Sequence, residues 1–137
     1  MTSDNRPTLV RDIMVRDVAT IGPMATLRDA MRAMRDRGVK SLVVKKGHPH
    51  DAFGIITYTS ILKTIVAEEG DIDLANVYDV ANKPVITVNG DMEVKYVARL
   101  MVTQSIRRIV VVENNELAGI ISMNDIVSAI IALVDEA

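Results

Sequence analysis

The chain has 137 residues, a formal net charge of −2, 49% hydrophobic and 25% charged residues, and no cysteine. That length suffices for one domain with a proper core, and the absence of cysteine excludes disulfides, thiol nucleophiles and thiolate metal sites. No apolar run approaches the ~20 residues that span a bilayer, residues 1–7 are polar without an apolar signal region, and no basic stripe marks a nucleic-acid reader. The expectation is a soluble cytoplasmic protein, with neither membrane nor nucleic acid as partner.

In chain order, residues 10–14 read as a short helical turn and 18–21 as a brief extended piece. Thr26 and Asp29 fit a capping box, Leu27, Ala30, Met31 and Met34 form a helical apolar stripe, and Gly38 suits a left-handed stop. Strands are expected at 39–45 and 52–57, where β-branched residues concentrate. The turn between them carries both histidines, His48 and His50, and reads as a solvated loop, with no metal site. A closing helix is expected over about 59–68. The same order then returns: a turn at 77–81, an extended piece at 85–88, and a helix signalled by Asn89-Gly90-Asp91 and ended at Thr103-Gln104-Ser105. Strands at 106–112 and 117–122 follow, then a closing helix over 124–134.

The return is literal. Leu27, Ala30, Met31 and Met34 recur 67 residues later as Val94, Val97, Ala98 and Met101, and Val10-Arg11-Asp12-Ile13 recurs as Val77-Tyr78-Asp79-Val80. Gly54-Ile55-Ile56-Thr57 recurs as Gly119-Ile120-Ile121-Ser122, offset by 65 because the first copy has the longer loop. Two copies of one unit are present, each too small to be robust alone. Between Ile126 and Val134 only Ser128 is polar. A helix apolar on nearly every side needs a second surface to cover it. A homodimer through the closing helices, using Ile61, Ile65, Ile126, Ile130 and Val134, is therefore expected. Lys and Arg outnumber Asp and Glu between residues 10 and 70, with the reverse from 71 onward.

This doubled β-α-β-β-α order, with Val-x-Asp-Ile/Val openings and Gly-Ile-Ile-Thr/Ser before the last helix, resembles a stand-alone tandem CBS-domain pair (a Bateman module). The resemblance implies an α/β (α+β) fold of two pseudo-symmetric motifs, 8–69 and 75–135, intertwined as one module after a polar tail at 1–7. It also implies a disc-like homodimer, and clefts that hold adenosyl ligands such as AMP, ADP or ATP.

The family's Gly-x-x-Thr/Ser-x-x-Asp signature is complete as Gly119, Ser122 and Asp125. In it Asp125 would accept both hydroxyls of a ribose, and Ser122 and Asn124 would sit at a helix start that favours phosphate. Ser-x-x-Asp is equally a capping box. By the same analogy Ile13, Met14 and Ile120 flank the purine, Val39, Lys40 and Ser41 line the cleft, and Arg107 and Arg108 face the phosphates. The alternative for the two arginines is a salt bridge to Asp91 or Glu93. In the first copy Ser60 stands where the carboxylate belongs, so Thr57, Thr59 and Ser60 mark a second, weaker cleft. No nucleophile–base pair or catalytic cofactor motif appears, so no enzyme is expected. Two readings follow: a regulatory adenine-nucleotide sensor acting on a separate target protein, or a constitutive dimerisation scaffold with a vestigial cleft.

Overall fold

The computed structural model describes residues 7–136, with side chains described through residue 132. Residues 1–6 of the expected polar tail and the side chain of Val134 lie outside that description. The chain forms two compact units. One takes in the described residues up to Asp17 together with those from Ile86 onward, and the other is Val18–Val85. Each carries a three-stranded sheet.

In the second unit β1 (Thr20–Ile21) pairs parallel with β2 (Ser41–Val44), which pairs antiparallel with β3 (Gly54–Thr57). Helix α2 (Leu27–Arg37) crosses from β1 to β2. Its start is the expected capping box: Thr26 Oγ1 accepts the Asp29 N–H at 3.1 Å, and Asp29 Oδ2 accepts the Thr26 N–H at 3.2 Å. Gly38 ends it at φ 64, the left-handed region where glycine has no Cβ penalty. The apolar stripe of α2 packs with Leu42, Val44, Ile56 and Ile61 in a core whose largest members are fully buried. Each such side chain stabilises the fold by about 1.5–3 kcal/mol.

The first unit repeats this plan. β4 (Thr87–Asn89) runs parallel to β5 (Arg108–Glu113), and β5 runs antiparallel to β6 (Glu116–Ser122). Helix α5 (Val94–Gln104) crosses between β4 and β5, and α6 (Met123–Glu136) closes the unit. Asn114 and Asn115, at φ 53 and 63, make the tight turn between β5 and β6. Positive φ at both central residues is what a two-residue hairpin with right-handed strand twist requires.

The opening turn of each repeat joins the unit built on the other repeat's sheet. Turn α1 (Val10–Ile13) sits in the first unit, where Val10 and Arg11 donate to Met92 C=O and Gly90 C=O at 2.8 and 2.9 Å. Turn α4 (Val77–Val80) sits in the second, where Val77 and Tyr78 donate to Ala25 C=O and Pro23 C=O at 2.8 and 2.9 Å. These bonds are the same pair shifted by one repeat. Val10 and Val77 are both fully buried in the cores they join.

Three expectations change. Asn89-Gly90-Asp91 does not start α5. The Asn89 side chain instead accepts the Asp91 N–H at 3.2 Å and closes the turn after β4, so the helix begins after Glu93. The first closing helix is α3 (Tyr58–Leu62) followed by a π-helical turn (Lys63–Ala67). Thr64 Oγ1 donates to Ser60 C=O at 3.1 Å and Glu68 N–H reaches Lys63 C=O at 3.1 Å, which widens the last turn. Thirdly, Ile61 and Ile126 cannot form a subunit face, because each is buried in the core of its own unit. Ile65 is half-buried, whereas Val127, Ile130 and Ile131 are 45%, 53% and 54% exposed.

Candidate functional site

In the first unit the start of α6 is fixed by its own side chains. Ser122 N–H donates to Asp125 Oδ2 at 2.8 Å, and Asp125 N–H donates to Ser122 Oγ at 3.1 Å. The Ser-x-x-Asp spacing is therefore a capping box in fact. Met123 N–H reaches Arg107 C=O at 2.8 Å, which pins the helix start beside the beginning of β5. Three first-turn N–H groups are thus occupied, and Asn124, which is exposed, is left as the first-turn position whose N–H these bonds do not use. A carboxylate has about four lone-pair positions, so the single bond Asp125 accepts from Ser122 leaves most of its acceptor capacity.

The segment after α1 runs along β6. Val15 and Ile120 exchange both backbone hydrogen bonds at 2.9 Å. Gly119 permits this approach: a Cβ there would lie 2.7 Å from Val15 O and 2.9 Å from Met14 Sδ. The glycine of the signature is thus a packing requirement. Ile13, Met14, Ile120, Ser122, Asn124, Asp125, Arg107 and Arg108 all belong to this unit. Arg108 is the register partner of Ser122 on the neighbouring strand. Both arginines are exposed and form no ion pair with the described residues. Glu93, one of their expected partners, lies instead 3.8 Å from Lys95.

Val39, Lys40, Ser41, Thr57, Thr59 and Ser60 belong to the second unit. There Tyr58 N–H donates to Lys40 C=O at 3.0 Å, the counterpart of the Met123–Arg107 bond, and Ser41 is in register with Thr57. Thr57 Oγ1 accepts the Ser60 N–H at 3.2 Å and lies 3.0 Å from Ser60 Oγ. A neutral hydroxyl pair thus replaces the carboxylate. The Lys40 ammonium lies 5.9 Å from the Tyr58 ring centroid. Val15 and Tyr58 escape sequence reading because one acts through its backbone and the other lies next to, not within, the repeated motif.

The family model for the CBS domain matches residues 10–67 and 77–132. The chain belongs to the CBS-domain family. As a tandem CBS pair it has the two-motif α+β architecture that its doubled sequence implies. The protein MK0525 of Methanopyrus kandleri is 34% identical over 96% of this chain and 68% of its own length. YhcV of Bacillus subtilis, a CBS domain-containing protein, is 29% identical over 85% and 81%. Among solved structures, the hexameric CBS-CP12 protein from bloom-forming cyanobacteria is 36% identical with a TM-score of 0.81, over 90% of this chain and 72% of that one. The CBS pair of MJ0100, solved with 5-methylthioadenosine and S-adenosyl-L-methionine, shares the fold at 23% identity and a TM-score of 0.76, over 93% and 98%. No described helix is long and apolar enough to cross a membrane.

Proposed function

We propose that this CBS pair is a regulatory sensor of adenine nucleotides, with one principal site per chain at the start of α6. The observation that carries the reading is the pair of exposed arginines, Arg107 and Arg108, without an acidic partner among the described residues, next to the carboxylate-capped helix start. Asp125 accepts the two ribose hydroxyls, Ile13, Met14 and Ile120 flank the purine, and the arginines with Asn124 take the phosphate. Charge-assisted bonds of this kind contribute about 1.5–3 kcal/mol each. The same two positive charges disfavour S-adenosylmethionine, whose sulfonium is cationic. Thr57, Thr59 and Ser60 form the weaker second site, where no carboxylate meets the ribose.

Regulation follows from where the ligand groups come from. Ile13 and Met14 belong to the opening of the chain and Asp125 to its closing helix, so a bound nucleotide ties the two together and favours conformations in which they are docked. A target protein that reads that state is the output.

Asp125→Asn tests the site while keeping an oxygen for the Ser122 N–H. AMP affinity, read by calorimetry, should fall by about 30- to 150-fold, equivalent to roughly 2–3 kcal/mol, while the thermal midpoint without ligand changes little. Undiminished AMP binding would reduce Asp125 to a cap. Wild-type protein that shows no stabilisation by AMP, ADP or ATP would remove the sensor reading altogether, since a native-state ligand must raise the midpoint.

A second reading, a constitutive dimerisation scaffold, is favoured by the apolar face that Val127, Ile130 and Ile131 leave open on α6. Isolated surface apolar residues are ordinary, but three on one helix suggest a partner helix. Ile130→Glu should convert a dimer to a monomer in sedimentation. Equal masses for wild type and variant would end this reading of the face.

A further inference from the structure

The second unit contains a hollow of about 400 Å³ that shares no lining residue with Thr57, Thr59 and Ser60 and draws nothing from the Asp125 group. Its polar floor is the ion pair of Lys83 and Asp51, Nζ to Oδ2 2.7 Å, with side chains only 13% and 16% exposed. Asp51 accepts three bonds in all: Oδ2 also accepts the Gly47 N–H at 2.7 Å, and Oδ1 accepts the Ala52 N–H at 2.8 Å. Lys83 is not saturated. Its ammonium donates to Asp51 and lies 5.1 Å from the Tyr78 ring centroid, and no further acceptor meets it among the described residues. A nearly buried ammonium with a spare N–H seeks an acceptor.

Besides that pair and the exposed His50, the lining is Tyr78 and small apolar residues. Ala52, Ala81 and Pro84 leave room beside the Tyr78 ring, which is 59% exposed. The volume falls within the usual range for small-molecule pockets, about 300–1,000 Å³. Nor is the hollow a product of the duplication. The second repeat replaces the loop carrying Asp51 with the Asn114-Asn115 turn, and its counterparts of Tyr78 and Lys83 are Arg11 and Arg16.

We propose that this hollow is a ligand site of its own, for a neutral planar ring bearing a carbonyl, with the ring against Tyr78 and Pro84 and the carbonyl oxygen on Lys83. Neutrality follows from the floor. Lys83 and Asp51 cancel, so a second anion would be desolvated beside Asp51 without a free positive charge to receive it. Planarity follows from the aromatic wall and the small residues opposite.

Titration of the full-length protein with nicotinamide, followed by amide NMR shifts, tests the assignment. Saturable shifts are expected at Ala52, Ala81 and Lys83, and they should persist when AMP is present in excess. Pyridine, which lacks the carbonyl, and benzoate, which is charged, should bind about tenfold more weakly, the loss expected for one missing or uncompensated polar contact. Tyr78→Ala, at an exposed position, should weaken nicotinamide at least about fivefold, and Lys83→Met should abolish the shifts. Absence of saturable shifts at these amides, unchanged affinity in Tyr78→Ala, or benzoate binding better than nicotinamide would each overturn the proposal. None of these results depends on whether Asp125 binds a nucleotide.

Discussion

Asp51 gathers three hydrogen bonds on one carboxylate, and the Lys83 bond, followed by the Gly47 and Ala52 N–H groups, holds its carboxyl well below the usual carboxylate range. Asp73 is lowered in the same direction, first by its hydrogen bond to Arg28. In the unfolded chain such groups bind a proton near pH 3.9. Between the folded and unfolded values the unfolded state therefore carries more protons, and stability rises with pH. The contribution is complete above about pH 4 and is lost as acidity increases below it. Melting curves recorded from about pH 6 down to about pH 3 should show a falling midpoint, and Asp51→Asn should make that fall shallower. An unchanged slope in the variant would assign the acid sensitivity to other carboxylates. Nothing local in the sequence marks Asp51, because its partner lies 32 residues away.

At the scale of elements, the two Gly-Ile-Ile segments show how a repeated motif encodes a repeated contact. Ile120 bridges Val15, and Ile55 bridges Asn82. The glycine before each isoleucine lets the crossing strand approach. At Gly54 a Cβ would meet Asn82 O at 3.0 Å, and at Gly119 the clearance to Val15 O is 2.7 Å. Gly119→Ala should therefore lower stability by about 1–3 kcal/mol through forced backbone movement. Gly22→Ala, with open space around the new methyl, should stay within about 0.5 kcal/mol. Chemical denaturation measures both, and a tolerated Gly119→Ala would show that the crossing segment yields easily. Helix α2 was legible to the residue, since Thr26, Asp29 and Gly38 are local signals. The π-helical turn was not, because it depends on where the Thr64 hydroxyl finds its acceptor.

For the whole molecule, the boundary between units does not follow the boundary between repeats. A fragment spanning 18–85 contains one continuous compact unit with Val77 in its core, whereas 8–69 contains a full family motif without Val77. We expect the 18–85 fragment to unfold cooperatively on heating and the 8–69 fragment to lack a transition, as circular dichroism would show. Removing Val77 alone from such a core costs more than a marginal unit of this size can spare. Cooperative melting of 8–69 and not of 18–85 would instead make each repeat its own folding unit.

By itself the sequence determined the duplication, the order of strands and helices, the α2 cap and stop, and membership of the CBS-domain family, because each is written in residues a few positions apart or at one constant offset. Tertiary structure decided which unit receives each opening turn, that Ile61 and Ile126 face inward, and that Arg107 and Arg108 stand without acidic partners among the described residues. It also decided that Asp51 and Lys83 share a floor. Those outcomes turn on distances between segments far apart in the chain, and no local pattern of side chains carries that information.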